Sequence, residues 1–156
     1  MSKKNIPNVM LERMLRDVVS EAEKSAESVC LLAETYGEEL PKLEFTRCGL
    51  LDAERVYRRL CNLEKFREDL NREVFEDVMA KFLGQTLVVC YGAEWRAYKG
   101  RFYTLKPIVV YFSEIKKSLD VFAPCVDLID AKSMTGARQG QALASFFDNA
   151  LRNALL

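Results

Sequence analysis

The stretch LGQTLVVCYGAEWRAYKGRF, residues 83–102, decides the fold. Its first half is apolar nearly all round, the mark of a helix buried on more than one side. Tyr91-Gly92 ends that helix, because glycine takes the left-handed C′ conformation without a Cβ penalty. Beyond Gly92 the hydrophobic period changes, and GAEWRAYKGRFYTL reads as two short strands around Lys99-Gly100. Trp95, the chain's only tryptophan, is then the first large side chain that the new sheet sends into the core.

Upstream of this junction the chain reads as helices. Asn71 is placed to cap the helix REVFEDVMAKFLGQTLVVCY, which turns Val74, Phe75, Val78, Met79, Phe82 and Leu83 inward. A shorter helix starts at Asp52 with Val56, Tyr57, Leu60 and Leu63 inward, and Leu43 to Gly49 reads as a loop. The polar stretch EKFREDLNRE predicts a bend or a short helix. From Val9 to Tyr36, Leu11, Leu15, Val18, Ala22, Ser25, Val29, Leu32 and Tyr36 alternate steps of four and three, a heptad seam. Tyr36-Gly37 ends this helix and Pro41 prevents its resumption. At about 1.5 Å per residue it would be about 40 Å long, so residues 9–36 are expected either to pack inside the domain or to pair with a second copy as a homodimer.

Downstream, KPIVVYF predicts a third strand, central because it has no polar face, and SLDVF a fourth. Pro124 opens a short helix, PCVDLIDAK; Ser133 to Gly136 reads as a turn. ARQGQALASFFDNALRNALL predicts a C-terminal helix presenting Leu143, Phe146, Phe147, Ala150, Leu151 and Leu155. The fold class is α+β: an N-terminal helical layer with a long first helix, a small three- or four-stranded antiparallel sheet, and C-terminal helices packing back on it. Residues 1–156 are expected to form one domain, helical over 8–91, with the sheet and C-terminal helices over 92–156.

Composition narrows the chemistry. Lysine plus arginine equals aspartate plus glutamate, 23 against 23, so no whole-molecule field draws the chain to nucleic acid or lipid. There is no histidine, which removes Ser-His-Asp and Cys-His catalysis, histidine metal sites and a histidine proton shuttle together. The five cysteines are spread with no CxxC pair, so neither a disulfide framework nor a zinc knuckle is expected. Glu12 and Arg13 interrupt any apolar targeting segment, and the run Phe82–Ala93 is too short to span a bilayer; a cytoplasmic protein without membrane contact is expected.

Several clusters are candidate sites. Between residues 94 and 117 the cations Arg96, Lys99, Arg101, Lys106, Lys116 and Lys117 outnumber Glu94 and Glu114, with Trp95, Tyr98, Phe102, Tyr103, Tyr111 and Phe112 interleaved. Basic and aromatic side chains together suit single-stranded nucleic acid, although a hairpin packed on helices needs the same composition. Arg55, Arg58 and Arg59 offer an anion or acidic-partner site, or a face neutralised by Glu54 and its neighbours. Lys132, Gly136, Arg138 and Gly140 suggest an anion at a helix start, against a plain turn and cap. Asp127 and Asp130 form a carboxylate pair of the kind an oxygen-ligand metal or carboxylate enzyme would use, with no third ligand evident. Cys125 has no histidine to act as its base.

The positions Leu83, Gly84, Leu87, Tyr91, Gly92, Trp95, Asp120, Phe122 and Pro124 spell an LGxxLxxxYGxxW helix that leads into strands and a proline-led helix. This layout resembles bacterial small-domain families of unknown function, some of which accompany toxin systems as immunity or accessory proteins. The resemblance implies a structural motif over the second half of the chain and transfers no active-site residue.

The expected function is therefore a non-catalytic, cytoplasmic protein-binding domain, an immunity or accessory protein of a bacterial system, with no cofactor and another protein as its partner. Single-stranded nucleic-acid binding through the basic, aromatic hairpin is the alternative. An oxygen-ligand metal or carboxylate enzyme comes third. The interaction surface expected from sequence comprises Trp95, Arg96, Tyr98, Lys99, Arg101 and Tyr103 on the hairpin, with Arg55, Arg58 and Arg59 on the second helix.

Overall fold

The computed structural model describes residues 6–68, 71–99, 106–126, 128 and 141–154. The heptad seam does not run through one helix. It is divided between α1 (Asn8–Glu23) and α2 (Ser25–Thr35). Lys24 leaves helical geometry at φ −100°, ψ 2°, and the Ser25 hydroxyl donates to the Ala22 carbonyl at 2.6 Å, the local bond by which serine competes with a helix. The seam residues Leu11, Val18, Ala22, Ser25 and Val29 are buried, and Leu15, Leu32 and Tyr36 pack half-buried against the core. Of the two expectations for this seam, packing inside the domain and pairing with a second copy, the burial of its residues in the chain's own core fits the first. At the end of α2 the amide of Gly37 (φ +81°) donates to Glu34 and that of Glu38 to Ala33, the two bonds of a Schellman motif.

α3 (Arg47–Leu60) starts five residues before the predicted Asp52, because Thr46 caps it: the hydroxyl accepts from the Gly49 amide at 3.1 Å. α4 (Glu64–Glu68) is the short helix expected in the polar stretch. α5 (Asn71–Tyr91) packs against α1, α2 and α3 and carries the core. Phe75, Met79, Phe82, Leu83 and Leu87 on it are fully buried, with Phe66, Phe75 and Tyr57 in mutual ring contact at 5.6–5.9 Å. Asn71 is the first residue of α5, and its side-chain amide donates to the Tyr36 hydroxyl at 2.8 Å.

Gly92, at φ +66°, lets the chain leave α5 for the sheet. Strands β1 (Glu94–Ala97), β2 (Ile108–Phe112) and β3 (Lys117–Leu119) form an antiparallel sheet in the order β1-β2-β3. Trp95 faces Val110 across the first pair and Tyr111 faces Ser118 across the second. β2 is central and nearly fully buried, as its unbroken apolar run predicts. The strand expected over 101–105 lies outside the described residues. The fourth predicted strand stops at Leu119, because the Asp120 carboxylate accepts from the amides of Phe122 (2.9 Å) and Ala123, turning the chain into a 3-10 turn, Ala123–Cys125. Asp127, Asp130, Lys132 and the stretch Ser133–Gly140, with Arg138, lie outside the described residues. The C-terminal helix is two pieces, α6 (Ala142–Asp148) and α7 (Ala150–Asn153), parted at Asn149. Leu143, Phe146, Phe147 and Ala150 are buried as expected, whereas Leu151 is exposed. The architecture is α+β. Among the described residues no helix is long and apolar enough to cross a membrane.

Candidate binding groove

Among the described residues, one face of the first half of α5 borders a groove. Arg72, Glu73, Glu76, Asp77 and Ala80 recur on it at helical spacing and form one wall of a groove of about 350 Å³. The opposite wall is Lys106, Phe122, Cys125 and Val126, brought up by the turn before β2 and the 3-10 turn. The apolar part is Ala80, Phe122 and Val126, the last half exposed at 52%.

The charges around this groove are tied to one another. Asp77 accepts from Lys81 at 2.6 Å and from Lys106, while Lys81 also donates to Glu21 on α1. Burial alone would raise the Asp77 carboxyl, but hydrogen bonds from Lys106 and Lys81 outweigh it and hold the group below the ordinary carboxylate range. For Lys81 burial acts to lower the ammonium, and the bonds it donates to Asp77 and Glu21 win and raise it. The Lys106 ammonium lies 4.6 Å from the Phe122 ring centre, a cation–π contact at the groove wall.

Two glutamates are deeply buried, Glu76 in the groove wall and Glu54 on α3. Glu76 accepts from the Tyr57 hydroxyl at 2.6 Å and from the Leu128 amide at 3.1 Å. Burial, reinforced by Glu76, pushes the Tyr57 phenol far above its ordinary value, so it stays a donor. Glu54, on α3, accepts from Arg58 at 2.8 Å and from the amides of Ala142 and Leu143 at 3.1 and 2.7 Å. It caps α6 from outside, where Gln141 at the cap position makes no side-chain bond of its own. Cys125 is fully buried, and burial followed by the nearby Glu76 and Glu54 charges drives its thiol upward, away from the thiolate a nucleophile needs. Among the described residues no group of three or more Cys, Asp or Glu is arranged to hold a metal ion.

The residues expected from sequence to form an interaction surface are distributed differently. Trp95 is a correction: it is 8% exposed, with its ring against Gly84 and 6.3 Å from Phe122, and its Nε1–H donates to the Gln85 side chain at 3.1 Å. An indole so enclosed offers no face to a base or a partner. Arg96 lies over the Tyr111 ring at 3.7 Å and pairs with Glu94. Tyr98 is half-buried, with its amide donating to Pro107, and Lys99 donates to Asn8. Arg101 and Tyr103 lie outside the described residues. On α3 each arginine has an acid: Arg55 pairs with Asp52 at 2.8 Å, Arg58 with Glu54 at 2.8 Å and Arg59 with Glu38 at 3.5 Å. They form separate ion pairs and not an open anion site.

Of the groove's residues, Lys106 belongs to the basic, aromatic cluster read from sequence, Phe122 to the layout of residues 83–124, and Cys125 is the thiol weighed as a nucleophile, whereas Arg72, Glu73, Glu76, Asp77, Ala80 and Val126 carry no sequence-based expectation. The i, i+4 repeat of Glu73 with Asp77 and Glu76 with Ala80 was the available signal. No protein-family model matches this chain, and comparison with curated proteins and with solved structures gave no match.

Proposed function

We propose that the chain is a non-catalytic protein-binding domain that receives an apolar side chain of a partner polypeptide in the groove between α5 and the 3-10 turn. An immunity or accessory role in a bacterial system is the setting we infer from the layout of residues 83–124. The observation that carries the proposal is the state of the groove's acids. Glu76 and Asp77 are already occupied by Tyr57, Leu128, Lys81 and Lys106, so Asp77 ties one wall to the other and neither acid is free to move a proton on a substrate. Among the described residues the groove offers Val126 as its exposed apolar side chain beside a charged rim, an arrangement that suits recognition.

The test is co-purification of tagged chain from its native host, comparing the unaltered protein with Val126→Glu at the rim and with Leu63→Glu, an exposed residue outside the groove lining. A stoichiometric protein that is retained by Leu63→Glu and lost from Val126→Glu is the expected result. Recovery of nucleic acid that salt releases, with no protein, would replace this reading by the hairpin one.

A further inference from the structure

The five cysteines divide by accessibility. Cys61 and Cys125 are buried and Cys30 is half-buried with its thiol toward the Pro41 carbonyl, which leaves Cys48 and Cys90 as the exposed thiols. In sequence they are remote, one near the start of α3 and the other at the end of α5. In the fold they share a corner. The Cys90 thiol donates to the Phe45 carbonyl at 3.4 Å, and Cys48 stands three residues beyond, at the second helical position after the Thr46 cap. Their immediate neighbours also converge. Arg47 makes a two-pronged bond to Asp148 at 3.0–3.1 Å, and the Tyr91 hydroxyl donates to the carbonyl of Phe147, the adjacent residue of α6. The Phe45 ring lies 5.4 Å from that of Phe82 on α5, so the segment leading into α3 is packed on α5 as well as bonded to it here.

We propose that Cys48 and Cys90 are a redox-responsive pair, which a low-molecular-weight disulfide such as oxidised glutathione converts to an intramolecular disulfide joining the start of α3 to the end of α5. One thiolate attacks a sulfur of the oxidant, forming a mixed disulfide and releasing one glutathione thiolate. The second cysteine's thiolate then attacks the protein sulfur of that mixed disulfide and releases the other glutathione. The pair gives up two electrons, and its two protons end on the two glutathione thiols. Joining the cysteines adds a covalent tie between the start of α3 and the end of α5 at a corner that otherwise rests on the Phe45–Phe82 ring contact, the Cys90 thiol bond and bonds from both elements to α6. This inference does not depend on the proposed partner, because it is read on the isolated chain.

The experiment treats the full native chain with oxidised glutathione, blocks remaining thiols with N-ethylmaleimide under denaturing conditions, and maps the peptides by mass. The expected product is monomeric, has two fewer blocked cysteines, and yields one cross-linked peptide containing Cys48 and Cys90. Cys48→Ser and Cys90→Ser each abolish it, whereas Cys30→Ser does not. Emission from the buried Trp95 reports that each variant is folded. Separate glutathione adducts on Cys48 and Cys90 without a cross-link, a cross-link through Cys30, or a disulfide between two chains would each overturn the proposal.

Discussion

Gly84→Ala is the substitution for which helix propensity and packing give opposite signs. Gly84 lies inside α5, where alanine is favoured over glycine by about 1 kcal/mol, so propensity alone makes the variant more stable. The structure reverses this. A Cβ on Gly84 would overlap Cη2 and Cζ2 of Trp95 and stand 3.1 Å from Cζ3, where carbon atoms normally approach to about 3.5–4.0 Å. The indole cannot swing aside freely, because its Nε1–H is held by Gln85 and its ring packs near Phe122. Overpacking of a rigid core costs about 1–3 kcal/mol and reaches the upper end where neither partner is flexible. Subtracting the propensity gain leaves a net loss of about 1–2 kcal/mol, or a fall in Tm of about 2–8 °C for a chain of this size.

The assay is urea unfolding followed by Trp95 emission, which is an unambiguous probe because the chain has one tryptophan. Gly84→Ala should lower the midpoint at unchanged slope and shift the native emission toward the red as the ring is displaced. Trp95→Phe should cancel much of the added cost when combined with Gly84→Ala, measured against Trp95→Phe alone by circular dichroism, since the smaller ring makes room. A Gly84→Ala protein more stable than its parent would refute the close approach of α5 to β1 on which the packing of the sheet rests.

Three further outcomes follow from other parts of the fold. Glu54→Gln leaves Arg58 without its acid and weakens the bonds to Ala142 and Leu143; a loss of about 2–4 kcal/mol in urea unfolding is expected, with α6 amides exchanging first by hydrogen–deuterium exchange. Lys116 holds a left-handed backbone at φ 53° in the turn before β3, so Lys116→Gly should raise stability by up to about 1 kcal/mol, and Lys116→Val should lower it. Asp77 has a folded value below the ordinary carboxylate range. Its contribution is therefore complete above about pH 4–5 and is lost as pH falls through the lowered value, and Asp77→Asn should flatten the stability–pH curve in that acid window.

The period change at Gly92 made the fold class legible, and β2 was identified as central from Ile108–Phe112 alone, because a strand with no polar face must be covered on both sides. The glycine caps were equally readable. The long N-terminal helical run is legible but its break at Lys24 is not, because heptad spacing is indifferent to one non-helical residue: Lys24 preserves the seam's register closely enough that Leu11 to Val29 still bury, while Ser25 takes up the carbonyl that the break releases. The start of α3 was set too late because its first residues, Arg47 and Cys48, are exposed and show no apolar period, and only the Thr46 hydroxyl marks the boundary. Trp95 entered both the core and the surface lists, since alternation gives a strand two faces and does not say which one a tryptophan takes. Gly84, eleven residues earlier, supplies the answer in space.

The acids are the deeper lesson. Glu54 and Glu76 look like solvated charges on helices, yet each occupies the apolar face: Glu54 follows Leu50 by four residues and precedes Tyr57 by three, and Glu76 adjoins Phe75 and precedes Met79 by three. Their partners could not be guessed because these are largely backbone amides from distant segments, and every residue but proline has one. Together with Asp77 they follow one rule. A carboxylate on a helix before Gly92 binds a group that comes after residue 105: Asp77 binds Lys106, Glu76 binds the Leu128 amide, and Glu54 binds those of Ala142 and Leu143. Apolar contact alone would let the sheet and C-terminal helices slide on the helical layer, since burial is non-directional. Carboxylates aimed at particular N–H groups fix the register between the two halves, because a hydrogen bond is directional where burial is not. Residues that elsewhere would be candidate acids and bases are here the joints of the α+β junction.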